Sequence, residues 1–374
     1  MMETIGSLQQ IRADARAKQE RAIAFLEREG LDALVIGRQD NFAWITAGGD
    51  SRVITTSEMG AAFIVLTKER KWLVSHSMDG QRFMDEQVPG QGYDLAALFW
   101  HQGPPEAKVL ELVRGMKVGA DFPLVGARHY GTEIVDLHYP FSDLDLERCR
   151  WIGQTANRIL SEVAHELEPG ISEQETAAQL MQKYAEEGLT VDVLIVGFDD
   201  RVKRYRHPMP TGNVLQRYAL LHPAARRWGL HANVTRLMHF GEPPSDIGRA
   251  MNVVATVGGH VIGMLAPDAA FADILTEEIR LYRKLGYSGE WMNHFQGGIT
   301  GYTLVDATRC TKPEARLVTR QAFDYFITIA GAKFEELTLL TEDGPEIASL
   351  GPGWPTRTIQ TPNGEITVPA VLIR

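Results

Sequence analysis

Two rhythms of apolar and polar positions run through this chain. Between residues 9 and 29, Ile11, Ala15, Ile23, Phe25 and Leu26 recur among charged side chains, the spacing of an amphipathic helix that Gly30 ends. Residues 31–36 follow as one apolar run, which predicts a buried strand. Further strands are expected at 61–66 and 71–74, joined by the polar turn 67–70. A helix is expected at 109–114, and another strand begins at 118–120. Helix alternating with strand predicts an α/β domain with a partly parallel sheet.

The second half reads differently. A helix over 150–167 leads into Glu168-Pro169-Gly170, and Ser172 with Glu175 forms a capping box that opens a helix reaching Glu187 and stopping at Gly188. Shifted by 98 residues, Leu167, Pro169, Tyr184 and Gly188 match Leu265, Pro267, Tyr282 and Gly286. Helix, Pro turn, helix with a Tyr four residues before a terminal Gly, then β-like sequence occur in both copies. This repeat predicts an α+β domain of two similar halves about a pseudo-twofold axis.

Between the two copies lies the stretch 204–236. An apolar strand at 218–221, a turn Ala-Arg-Arg-Trp-Gly and a segment ending Asn233-Val234-Thr235-Arg236 read as a β-hairpin. Ahead of it, His207 stands in an X-His-Pro-X-Pro turn, and Pro208 holds it extended, with its imidazole projecting from the chain. A plain surface histidine has the same local signature.

This hairpin with its preceding histidine resembles the creatinase/prolidase/methionine aminopeptidase family, the pita-bread fold. The phrases Gly30-Leu31-Asp32-Ala33-Leu34 and Asn41-Phe42-Ala43-Trp44-Ile45-Thr46-Ala47-Gly48 resemble the family's small N-terminal domain. The resemblance implies a creatinase-like domain over 1–147 and a pita-bread catalytic domain over 148–374. It also implies a homodimer in which the N-terminal domain covers the partner's active site.

The family binds two divalent metals through two aspartates, one histidine and two glutamates. At the aspartate positions, eleven residues apart, this chain has His222 and Asn233. The family histidine falls on His294 or Gln296, and both alternatives stay open. The first glutamate falls near 325–327, with Asp324 the nearest carboxylate, and the second falls on Glu335. One of four carboxylate ligands survives, so a dinuclear site is not expected. Creatinase is a metal-free member that breaks a C–N bond with its loop histidine, and ectoine hydrolase is another metal-free relative. The resemblance places that histidine on His207 and one substrate-holding glutamate on Glu335. Another falls on Thr235, which argues against creatine as substrate.

Composition narrows the partners. A net charge of −10 on 374 residues, without a basic block, argues against nucleic acid. With 44% hydrophobic and 23% charged residues, no apolar run of membrane-spanning length and no signal-peptide core, a soluble cytoplasmic protein is expected. Cys149 and Cys310 are read as two reduced thiols.

The functional expectation is a metal-independent hydrolase or lyase of a small amino-acid-like or amide substrate, with His207 as general acid/base and Glu335 orienting it or holding a substrate cation. Substrate contacts are expected from Arg204, Arg206 and Arg236, which suit a carboxylate, and from His222, Asn233, His294, Gln296, Tyr302 and Glu336. Two alternatives remain. One is an Xaa-Pro dipeptidase-like enzyme with a single divalent metal on His222, His294 and Glu335. The other is a non-catalytic binding protein on the same fold.

Overall fold

The structure, a computed structural model, describes residues 5–307, 312 and 314–374. Cys310 lies outside the described residues, and Cys149 is buried. The chain divides into two compact units between Leu144 and Asp145.

The first unit opens with helix α1 (Leu8–Glu29), started by a Ser7/Gln10 capping box and closed by Gly30 in the left-handed region. Its buried face carries Ala15, Ala22, Phe25 and Leu26, together with Lys18 and Gln19. Ile11 and Ile23 are only half-buried, contrary to the periodicity. Lys18 takes an inward place because Asp14, one turn earlier, accepts from its ammonium at 2.7 Å.

Six strands follow: β1 (Ala33–Arg38), β2 (Met59–Leu66), β3 (Lys71–His76), β4 (Asp94–Leu98), β5 (Val118–Ala120) and β6 (Ala127–His129). They form one sheet in the order β4-β3-β2-β1-β5-β6. The pairs β1–β2 and β2–β3 are antiparallel, while β3–β4, β1–β5 and β5–β6 are parallel. Val35, Phe63, Val65, Val74 and Val109 pack into its core. The helix expected at 109–114 is Pro105–Leu112, because Pro105 preorganises an earlier first turn.

In the second unit, helix α2 (Asp143–Glu166) begins seven residues before the expected start. Helix α3 (Glu173–Glu186) opens on the Ser172/Glu175 box. Strands β7 (Thr190–Phe198), β8 (Tyr218–Arg227), β9 (Leu230–Asn233) and β10 (Arg236–His239) complete the first half. The second half runs through α4 (Ser245–Gly263), α5 (Phe271–Lys284), β11 (Gly297–Thr300), β12 (Gln321–Tyr325), β13 (Ile327–Ile329), β14 (Ala332–Phe334), β15 (Thr338–Thr341) and β16 (Gly344–Ile347). Hairpin β17 (Thr356–Thr361) and β18 (Gly364–Pro369) and the short β19 (Leu372–Ile373) end the chain.

The repeat is visible in backbone hydrogen bonds. Leu189 N donates to Tyr184 O at 2.9 Å, and 98 residues on Tyr287 N donates to Tyr282 O at 2.8 Å. Gly188 and Gly286 both have positive φ, and both tyrosines are fully buried.

The central hairpin departs from expectation in one respect. Strand β8 does not stop at Leu221 but continues through Pro223 to Arg227, and the turn is only Trp228-Gly229, both at positive φ. Proline is tolerated because β8 changes partner there: Tyr218–Leu221 pair with β10, and Ala224–Arg227 pair with β9. No helix among the described residues is long and apolar enough to cross a membrane.

Candidate active site

A cavity of about 750 Å³ lies in the second unit, and the central hairpin supplies one wall. Val193 pairs with Ala224 and Ile195 with His222, while Ala224 pairs on its other side with Asn233. All five line the cavity. Strand alternation explains the choice: side chains two apart on β7 and β8 share a face.

His207 enters from the loop after the short helix Asp200–Arg204. Pro208 is buried against β7 at Gly197, where an added Cβ would lie 2.4 Å from the proline Cγ. Glycine is therefore needed there for the loop to sit as it does. His294 comes from the opposite half and brings its Nε2 to 2.9 Å from His207 Nε2. The Nδ1 of His294 faces the Phe295 carbonyl, which can only accept, so Nδ1 carries the proton. His294 Nε2 must then accept from His207 Nε2–H, which leaves His207 Nδ1 as the basic nitrogen. This tautomer follows from the network. Burial and the Lys333 ammonium hold His207 below its ordinary pKa, and burial first, then Lys333, brings His294 down to about 4. Both rings are neutral near pH 7.

The floor is formed by Lys333, Glu335 and His222. Lys333 and Glu335 are two residues apart and form a buried ion pair. His222 Nε2 lies 3.4 Å from the other Glu335 oxygen, and its Nδ1 lies 3.0 Å from Thr235 Oγ1. The Thr235 amide in turn donates to the Glu335 carbonyl at 2.9 Å, which docks the hairpin onto the floor. Burial, then the charge on Lys333, pushes His222 well below its ordinary pKa. Burial raises Glu335, against the pull of Lys333.

Lys333 was not anticipated as a site residue, and Asp324 was read only as the carboxylate nearest a missing family glutamate. Asp324 is fully buried on β12; burial, then the charge of Glu335, pushes its carboxyl well above its ordinary range, and Asn233 offsets part of this. The available signals were an acid inside the apolar strand Gln321–Tyr325 and a lysine in Ala332–Phe334. Charged residues are seldom buried without a partner.

Several expected substrate contacts are placed elsewhere. Tyr302 is fully buried, and its hydroxyl donates to Asp145 at 2.6 Å. Arg236 forms a buried ion pair with Glu336 and donates to Asn157 at 2.7 Å and to the Ser349 carbonyl at 2.9 Å. Neither Arg236 nor Glu336 lines the cavity. Arg204 lies against the Tyr205 ring, and Arg206 pairs with Glu290. Of the two candidates for the family histidine, His294 faces His207. Gln296 donates instead to the Trp291 and His294 carbonyls and lines a neighbouring cavity.

The two-metal centre of the resembled family does not fit these residues. His222 and Asn233 are neutral where carboxylates would be required, and an ammonium already occupies Glu335. For the single-metal alternative, His222 Nε2 and Glu335 lie together, while His294 Nε2 faces His207 instead of joining them. Among the described residues no group of three or more His, Cys, Asp or Glu side chains is arranged to hold a metal ion.

The model of metallopeptidase family M24 matches residues 147–337. An uncharacterised peptidase of Staphylococcus aureus is 22% identical over 215 residues, covering 55% of this chain and 61% of that relative, so the chain matches about three-fifths of its length. Among solved structures, a dipeptidase from Mycobacterium ulcerans has a TM-score of 0.76 at 17% identity, covering 97% of this chain and 98% of its own. An Xaa-Pro dipeptidase from Bacillus anthracis has 0.75 at 16%, covering 96% and 100%. A prolidase from Pyrococcus horikoshii has 0.73 at 15%, covering 89% and 98%. These likenesses establish the fold as an N-terminal α/β domain followed by a pita-bread domain.

Proposed function

The chain belongs to metallopeptidase family M24, and from that premise we propose that it hydrolyses the C–N bond of a small amide or amino-acid-like substrate without a metal ion. The observation that carries this reading is the 2.9 Å contact between His207 and His294 at a cavity whose floor pairs the Lys333 ammonium with Glu335, the surviving family carboxylate.

His207 Nδ1 takes a proton from water as the water oxygen bonds to the substrate carbonyl carbon. The carbonyl π pair moves onto its oxygen, beside the Lys333 ammonium, which stabilises the developing charge. His207 then returns the proton to the nitrogen as the C–N bond breaks. His294 accepts from His207 Nε2–H throughout and fixes which nitrogen is basic. A neutral ring can do this without forming a second charge in the cavity.

The remaining wall indicates the substrate class. Val193, Leu194, Ile195, Leu304, Val305 and Phe326 make most of the lining apolar, which suits an aliphatic or aromatic side chain. Asp192, beside His231 Nε2 at 3.2 Å, lies on the same cavity and suits a substrate amine. A cavity of about 750 Å³ accommodates a dipeptide-sized molecule.

The test is turnover of a panel of dipeptides and N-acyl amino acids by chelator-treated protein. Hydrolysis that survives chelation and is lost in His207→Ala supports the reading. Activity that returns only with added metal overturns it, and saturable binding without turnover makes the protein a binding protein on this fold. The homodimer belongs to the same proposal; light scattering that finds only the 41.6 kDa monomer removes it.

A further inference from the structure

A second cavity, of about 600 Å³, lies on the other side of the segment Asn293-His294-Phe295 and has no part in the proposed reaction. Phe271 and Leu275 from α5, Trp291 and Phe295 make it largely aromatic and apolar. Glu278, from the same face of α5, is set into this lining. It is 1% exposed, and neither of its carboxyl oxygens has a hydrogen-bond partner among the described residues. The Oε1 of Gln296, which lines the same cavity, is also unpartnered.

We propose that this cavity binds a small organic cation, an amine with N–H donors on an apolar body. Three buried acceptor oxygens without donors require a ligand that donates, and a buried carboxylate requires one that carries positive charge. The aromatic lining meets both demands, since ring faces attract an ammonium and accommodate the hydrocarbon attached to it. Burial pushes the Glu278 carboxyl well above its ordinary range, and a bound ammonium offsets that burial as protonation does while also donating to the other oxygens. A divalent metal is the wrong ligand: one carboxylate and one amide oxygen amid aromatic rings are too few hard donors. Lys312 also borders the cavity, but it is exposed.

The site is distinct from the proposed catalytic one in its residues, although His294 borders both cavities. An occupant would press on the segment that carries His294.

The probe is phenethylamine, with 2-phenylethanol as an uncharged control of similar shape, titrated calorimetrically into the full chain. Saturable binding of the amine is expected, weakened at least about tenfold in Glu278→Gln, while the alcohol does not distinguish the two proteins. Leu275→Trp, which fills the cavity from a half-exposed position, gives the same loss without touching the carboxylate. Absence of saturable amine binding overturns the proposal. So does equal affinity in wild type and Glu278→Gln, which would place the amine at Asp192 in the first cavity. Matching thermal melting curves establish that the variants are folded.

Discussion

Lys333 and Glu335 lie side by side at the floor of the cavity, each about 2% exposed, with their charges paired where the wider family places a metal ligand. In the proposed reaction this ammonium supplies fixed positive charge beside the reacting centre, and it lowers the pKa of His207, though burial contributes more. Lys333→Met removes both effects. A loss of about 3 kcal/mol of stability is expected, at the low end for breaking a buried pair because Glu335 can take up a proton. The acidic limb of the pH–rate profile should move upward as His207 regains basicity. An unchanged profile would reduce Lys333 to a structural partner of Glu335.

His207→Ala should lower turnover by about 10² to 10⁴, the usual contribution of a general acid/base. His207 sits on an exposed loop and its imidazole, packed against His294, fills no core space, so stability should change by no more than about 0.5 kcal/mol. Chemical denaturation checks the second half of this statement. A variant that loses stability in step with activity would show that the histidine pair holds the loop.

The two histidines also set a pH signature. His207 must be neutral to act, and its pKa is depressed, so activity should persist below pH 6.5 before it falls. Stability follows the same sign for His294. With a folded value of about 4 against 6.5 unfolded, the unfolded chain takes up the proton first. The contribution of neutral His294 is complete above pH 6.5 and is lost as pH falls toward 4. Glu335 and Asp324 are displaced the opposite way, so the wild-type curve mixes both signs. The difference in melting temperature between wild type and His294→Gln isolates the histidine, and it should shrink steadily over that interval.

Metal removal gives a cheaper discrimination. Elemental analysis of the purified protein should find less than about one divalent metal per chain, because the carboxylate set that holds a pair of such ions is missing. Dialysis against a chelator should leave turnover unchanged. Two tightly held equivalents would contradict the proposed chemistry.

Much of this site was readable from the chain, for local reasons. Pro208 restricts His207 to an extended conformation, and the family resemblance offered His294 as one of two candidates for the family histidine. What stayed hidden depended on distant partners. The Tyr302 hydroxyl is occupied by Asp145, 157 positions earlier, and Arg236 by Glu336, 100 positions later. Neither pairing leaves a mark in the residues beside it. Asp324 was noticed only as an approximate match to a missing glutamate; its burial next to Glu335 depends on the register of β12 against β11 and β15. Register of that kind is set by long-range pairing, which local periodicity does not contain.

Arg236 therefore offers a clean separation of structure from chemistry. Its side chain is fully buried; it pairs with Glu336, donates to Asn157 and Ser349, and lies 5.5 Å from the centre of the Trp354 ring. Arg236→Met leaves Glu336 without its cation in a closed environment, although Ser349 Oγ still donates to it at 2.5 Å. Breaking such a pair from one side costs about 3–5 kcal/mol, whereas replacing both partners with apolar groups costs much less. The double variant Arg236→Met with Glu336→Leu should accordingly recover most of the stability lost in the single variant. Turnover per folded molecule should stay close to wild type in both, since neither residue lines the cavity of His207. A fall in kcat of the folded double variant would return Arg236 to the substrate-binding role that the sequence suggested.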